Sequence, residues 1–325
     1  MLLADVPRAI PPRQHLGELL QQVEAAQRNG FTLLALGQHF LYGDIRWLQP
    51  VPTLARLAGE VGPDVRLATT VLISPLHHPV VLAEELATLD IVTGGRLDVG
   101  LGMGYRREEY QQLGVPFGER ATRFEEGVRL LRELWTRDHV TFHGAFWTLD
   151  GAEPHLRPVQ EPTPPVWIGA STTKGVVRSA RLGDAWPIGP RLSLEGVEEL
   201  LAVYLHERER LGLPPGVHPI RREVVVGRDH EDARRRFVAM TSDRYRTYAE
   251  RERTTIPAAN PGDEASTAIL GDPDDVVAQL RDLSTRVPVG PVIVRAQWPG
   301  MSSDEVCAYL DDLGHHVVSA LADYR

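Results

Sequence analysis

A (β/α)8 TIM barrel of the α/β class is the fold that the sequence predicts, and three observations predict it. Eight short runs rich in Val, Leu and Ile recur along 325 residues. Stretches of helical period separate most of them, which is the pattern of βα units and a parallel sheet. The signature of the alternative, a doubly wound open sheet, is incomplete. Gly100, Gly102 and Gly104 read GxGxG, with Arg107 where the last glycine of a dinucleotide fingerprint belongs.

Taken in order, the runs are Leu2–Asp5, Leu33–Gly37, Val65–Ile73, Arg96–Gly102, Pro165–Gly169, Asp184–Ile188, Arg222–Gly227 and Pro291–Arg295. Between the first two, Leu16, Leu19, Leu20, Val23 and Ala26 form one apolar helical stripe; after the fourth, Phe124, Val128, Leu131 and Leu134 form another. Two segments break the alternation. Val140–Leu149 reads as a hairpin turning at His143-Gly144 and runs into a proline-rich stretch, an insertion over about 139–164 after the fourth strand. The polar stretch 253–272, with Pro257, Pro261 and Gly262, reads either as a mobile loop over the barrel end, before the eighth strand, or as a connection with no role. The whole of 1–325 is expected to be one barrel domain carrying these two insertions.

Composition narrows the function classes. With 44 acidic against 35 basic residues the net charge is −9, so no basic face is expected for nucleic acid or for an anionic membrane. Cys307 is the single cysteine, which excludes an intrachain disulfide, a zinc ribbon and a CxxC pair. The first residues lack a basic signal-peptide region and no apolar run approaches membrane-spanning length, so a cytoplasmic location is expected.

In a barrel the chemistry sits at the C-terminal ends of the strands, so polar residues just after each run rank first. His39 follows the second run; it can serve as acid, base or hydrogen-bond donor, or merely tie down a neighbouring loop. Thr69 and Thr70 lie in the third. His77 and His78 follow, but adjacent residues on an extended chain point apart and no HxH or HExxH spacing completes a set, so no metal is expected. Gly102, Met103, Gly104 and Tyr105 end the fourth run, where glycines let the backbone approach a planar ligand. Gly169, Ala170, Ser171, Thr172 and Gly175 end the fifth and enter a helix; free amides and hydroxyls there form an anion site, and Ser171 or Thr172 can equally be an ordinary cap.

The ordered set resembles the luciferase-like family of flavin- and deazaflavin-dependent oxidoreductases, over nearly the whole chain. Its parts are Gly30-Phe31 with Gln38-His39-Phe40, then Pro75 with His78-Pro79, then Leu89-Asp90 leading to Gly94-Gly95-Arg96 and the GxGxG run. Gly114 with Arg120, the hairpin at Gly144, Pro164-Pro165-Val166-Trp167-Ile168-Gly169 and Ala180-Arg181-Leu182-Gly183-Asp184-Ala185-Trp186 complete it. The resemblance implies a flavin at the C-terminal face, its phosphate at Ser171, Thr172 and Gly175, and His39 beside the ring. It further implies a non-prolyl cis peptide buttressing the ring, matched to Thr69-Thr70, and pairing as a homodimer through helices near the second and third units. Departures are Met103 where luciferase has an arginine, Gln38 where it has an acid beside the histidine, and Tyr105 where the glucose-6-phosphate branch has a glutamate.

The expected function is a monooxygenase using reduced FMN, supplied by a separate flavin reductase, with O2 on a small organic substrate. The alternative is hydride transfer with coenzyme F-420. A non-catalytic flavin-storing member and a metal-dependent barrel hydrolase are the remaining readings. Tyr42, Trp47, Tyr105, Trp186 and Trp298 are expected to line the pocket, and Trp135 to be core.

Overall fold

The computed structural model describes residues 1–3, 6–7, 9–43, 45–251, 267–298 and 300–322, the side chains of 6–7 and 242–251 excepted. A parallel barrel closes in chain order. Leu2–Leu3 pairs with Leu33–Leu36, which pairs with Arg66–Thr69, then Leu97–Gly102, then Val166–Ile168. Trp167 bridges to Ala185 and Ile188 to Ile220; His218–Arg222 then pairs with Val289–Val294, and Arg295 bridges back to Leu2. The sixth run is a stave without a regular strand: Pro187 has no N–H to give, yet the N–H of Ile188 reaches Pro219 O at 2.8 Å.

Period-two alternation builds two cores from these strands. Leu2, Leu33, Ala35, Ala68, Trp167, Ala185 and Ile293 pack together in the lumen. Leu34, Leu36, Leu67, Val99, Leu101, Val166 and Ile168 face outward onto Leu54, Leu57, Leu82, Leu86, Val128 and Leu131 of the surrounding helices.

The seventh strand corrects the sequence expectation. The barrel uses His218–Arg222, while Val224–Val226 pairs in parallel with Ile269–Gly271 as a separate two-stranded sheet. His-Pro-Ile-Arg-Arg carries too little apolar character to read as a strand, whereas Val-Val-Val does. Of the expected loop 253–272, residues 253–266 lie outside the described residues; its last part is the strand Ile269–Gly271, and Asp272 caps helix Pro273–Arg286 by accepting from Asp275 N at 3.0 Å. After the fourth strand, Val140–His143 and Thr148–Ala152 form the antiparallel hairpin. Glu126 of helix Arg120–Thr136 holds its turn, accepting from the backbone N–H groups of Ala145, Phe146 and Trp147 at 2.9, 3.0 and 3.0 Å.

The cis peptide lies between Thr70 and Val71, one residue beyond the expected Thr69–Thr70. Thr69 is committed to the ladder instead: its hydroxyl bonds both the carbonyl and the N–H of Gly100, each at 2.8 Å. The neighbouring glycines are shaped to this segment. A Cβ on Gly100 would stand 2.0 Å from Thr69 O, on Gly102 2.5 Å from Val71 Cγ2, on Gly37 3.0 Å from Thr70 O and on Gly169 3.4 Å from Val71 Cγ1. The glycines of the GxGxG run therefore make room for the third strand, where the sequence reading gave that space to a ligand.

His218 on the seventh strand is fully buried, its Nδ1 accepting from Trp186 N at 3.1 Å and its ring 4.7 Å from that of Tyr204. Burial, with Arg208 nearby, pushes its pKa down to about 4.

Gly100→Ala should lower stability by about 1–3 kcal/mol or more, since a backbone carbonyl occupies the added methyl's place. Gly17→Ala, mid-helix with nothing within 4 Å, should raise it by about 0.5–1 kcal/mol. Urea unfolding of the two variants checks both signs. The same measurement against pH reads His218. Because its folded pKa of about 4 lies below the unfolded 6.5, the unfolded chain takes the proton first, and stability falls as pH drops through that window. The loss reaches about 3 kcal/mol below it, at 1.36 kcal/mol per pH unit. His218→Gln should flatten that acid limb.

Candidate active site

Gln38 fixes the backbone that carries His39. Its N–H reaches Val71 O at 3.3 Å, and its side-chain oxygen accepts from Ile73 N at 2.9 Å and from His77 Nε2 at 3.0 Å. Its amide nitrogen donates to Gln49 Oε1 at 2.9 Å, and Gln49 Nε2 donates to His39 O at 3.0 Å. Burial holds the His77 imidazole below its ordinary pKa, consistent with a neutral donor in this network. The end of the second strand is thus stapled to the segment after the cis peptide.

The His39 ring meets a partner that the sequence reading missed. Its Nδ1 donates to Glu109 Oε1 at 2.9 Å, and the same oxygen accepts from Phe40 N at 2.8 Å. Glu109 is 1% exposed and Arg106 Nη1 stands 3.6 Å from it, so the buried carboxylate is matched by a cation. With Nδ1 engaged, Nε2 is the nitrogen left to face a ligand. Tyr42, Trp47 and Tyr105 surround the imidazole at ring distances of 4.8, 4.7 and 5.8 Å, and the Arg106 guanidinium lies 4.2 Å from the Tyr42 ring centre. Glu109 sits on the short helix Arg107–Gln112, whose inward face it forms with Tyr110. The available signal was its place after the fourth strand, on the catalytic face.

The strand-four loop divides. Tyr105 joins His39, while Met103 packs partly buried against the outer core and its carbonyl accepts from the Tyr110 hydroxyl. Gly104 has φ +70° and its missing Cβ leaves room for Ile73.

At the fifth strand, Gly169 N bonds Leu101 O at 2.9 Å and Ala170 O accepts from Trp186 Nε1 at 2.9 Å, fixing the base of the loop. Thr172 is the cap of helix Thr173–Leu182, accepting from Gly175 N at 3.2 Å, so the capping role is filled. Ser171, Thr172 and Lys174 are exposed at this helix start, where the remaining amides and the helix dipole favour an anion. Thr70 Oγ1 and Ser74 Oγ are buried with no hydrogen-bond partner among the described residues. Uncommitted hydroxyls after the third strand, an anion-favouring turn after the fifth and an imidazole after the second are a donor set that suits a flavin ring with a phosphate tail.

The far wall departs from the aromatic lining expected. Arg221 pairs with lumen-facing Ile293 and so faces the lumen itself, where it bonds Glu223; Arg295 bridges to lumen-facing Leu2 and is 1% exposed. Trp186 and Trp298 are buried, the first holding Ala170 and the second lying 4.9 Å from the Arg295 guanidinium. Trp135 is core, donating to Ala83 O at 3.0 Å. Among the described residues no group of three or more His, Cys, Asp or Glu side chains is placed to hold a metal ion, and no helix is long and apolar enough to cross a membrane.

This architecture is that of a barrel enzyme family, and the chain belongs to it: residues 1–288 match the luciferase-like monooxygenase family. Among similar proteins is the oxygenase component of the flavin-dependent trigonelline monooxygenase of Acinetobacter baylyi, 30% identical over 192 residues, 58% of this chain and 53% of that one. Another is the F-420-dependent glucose-6-phosphate dehydrogenase of Amycolatopsis mediterranei, 27% identical over 286 residues, 81% of this chain and 84% of that one. The crystal structure of monooxygenase RslO1 from Streptomyces bottropensis superposes with a TM-score of 0.84 at 25% identity, covering 97% of this chain and 98% of that one. The chain spans 53% to 60% of the length of several curated relatives it matches.

Proposed function

We propose that the protein is an oxidoreductase that uses reduced FMN and O2 on a small organic substrate, with a separate flavin reductase as supplier. The observation that carries this reading is the buried Glu109–His39 couple at the same barrel face as the capped helix start at Ser171–Gly175. The relative from Acinetobacter baylyi, the oxygenase component of a flavin-dependent monooxygenase, supports it. Reduced FMN, when bound, supplies the electrons that activate oxygen.

The chain's own residues do the rest. Backbone amides and hydroxyls of Ser171 to Gly175 would hold the phosphate, with Gly169 and Ala170 as the floor of the loop. Thr70, with its uncommitted hydroxyl, would face the seat of the ring, while Gly102 and Gly104, by making room for Val71 and Ile73, and Thr69, by holding Gly100, would shape it indirectly. Glu109 keeps the His39 Nδ1 proton, so Nε2 can take or give a proton at a reacting oxygen in one fixed orientation. Tyr42, Trp47 and Tyr105 exclude water around that nitrogen. In the same reading the protein works in the cytoplasm as one barrel domain over 1–325. It pairs as a homodimer through the exposed Val81, Ile91 and Val92 of helix Pro79–Thr93.

The second reading is F-420-dependent hydride transfer at the same site. It is favoured by the relative from Amycolatopsis mediterranei, which aligns over 84% of its own length.

Absorbance titration with FMN, riboflavin and F-420 tests the cofactor assignment. Ser171→Ala with Thr172→Ala should weaken FMN clearly more than riboflavin; equal weakening removes the phosphate from this loop. His39→Ala should leave flavin affinity within a few-fold while slowing substrate oxidation by about 10²-fold or more. Full turnover in that variant defeats the role given to His39. Glu109→Leu should cost about 1–3 kcal/mol in thermal unfolding, because Phe40 N and the His39 ring lose their acceptor.

A further inference from the structure

The rim beside the proposed phosphate turn carries positive charge that the reading above does not use. Arg107 and Arg120 both stack on Phe117, their guanidinium carbons 4.3 and 3.9 Å from its ring centre. The Phe117 ring in turn lies 5.2 Å from that of Tyr110, whose hydroxyl holds the Met103 carbonyl of the strand-four loop. Other arginines of this rim are matched by carboxylates: Arg106 with Glu109 at 3.6 Å, Arg123 with Glu119 at 2.9 Å, and Arg178 with Glu125 at 2.7 Å. Among the described residues neither Arg107, Arg120 nor Lys174 has such a carboxylate partner; Arg120 Nη1 donates to Phe117 O at 2.9 Å, and Glu108 and Glu119 are the acidic chain neighbours of the two arginines.

The Arg178–Glu125 pair joins helix Thr173–Leu182 to helix Arg120–Thr136 at the same depth in each, about one and a half turns from their starts. Arg120 and Lys174 therefore open neighbouring helices on one rim. A local excess of cations in a chain of net charge −9 is a focused field beside an anion-favouring turn. Stacking on Phe117 limits the motion of two of the three groups before any ligand arrives.

We propose that Arg107, Arg120 and Lys174 form a subsite for an anionic extension of the cofactor side chain beyond its first phosphate. The ligand chemistry is a flavin-like ring whose tail carries several negative charges, as the phosphodiester and carboxylates of F-420 do. The proposal rests on the cofactor site that both readings above share, and it concerns the second of them. A single phosphate is served by the helix start alone and leaves these three cations unspent.

Fluorescence and absorbance titrations of the purified protein test it, using F-420 against its tail-free deazaflavin chromophore and FMN against riboflavin, at low and high salt. The F-420 tail should add about tenfold in affinity at low salt and much less at high salt, since exposed charges are screened. Arg107→Gln with Arg120→Gln, and separately Lys174→Gln, should remove most of that gain while leaving affinity for the tail-free chromophore unchanged. That unchanged affinity also certifies that the variants are folded. A tail contribution equal in the native protein and the variants overturns the proposal. If FMN exceeds riboflavin while F-420 binds no better than its chromophore, the cofactor reading stands and the subsite is overturned. If no chromophore binds at all, both fall.

Discussion

The segment after the third strand needs space at the barrel mouth, and its neighbours provide it by omitting side chains. Val71 and the carbonyls of Thr69 and Thr70 occupy positions that a Cβ on Gly37, Gly100, Gly102 or Gly169 would contest. Three strands are thereby committed to glycine where they meet the third, and the loops that leave them inherit their starting directions from that contact. Close packing leaves little slack for substitution. His39, Tyr105 and the Ser171–Gly175 turn all stand on backbone whose course is set there.

A buried carboxylate gives the site its polarity. Glu109 serves a backbone N–H, an imidazole and a guanidinium from a position 1% exposed, so removing any one partner leaves the others with an imperfectly matched charge. The histidine is therefore oriented by a unit of the barrel two strands away. Gln38, which stands where luciferase has an acid, instead spends every polar atom of its amide on the loop scaffold.

Most of the architecture was legible because parallel strands covered on both faces read as continuous apolar runs. His218–Arg222 escaped for the opposite reason: its His and Arg side chains are buried on internal partners, which no hydropathy pattern reveals. The cis peptide was misplaced by one residue because Thr69 and Thr70 are chemically alike, and only the hydrogen bonds to Gly100 tell them apart. Glu109 was invisible as a partner of His39 because the two lie 70 residues apart. The lumenal Arg221, Glu223 and Arg295 were missed because charged residues on a strand read as solvent-facing, whereas the inner face of a barrel end admits them.

The wide separation of His39 and Glu109 also bears on the order in which the molecule becomes competent. Both belong to the first four βα units, and so do Tyr42, Trp47, Tyr105 and Arg106. The His39 imidazole acquires its orientation from contacts internal to that half of the chain, while the anion-favouring turn comes later, with the fifth strand. During synthesis the half that orients the imidazole emerges from the ribosome before the half that carries the anion-favouring turn.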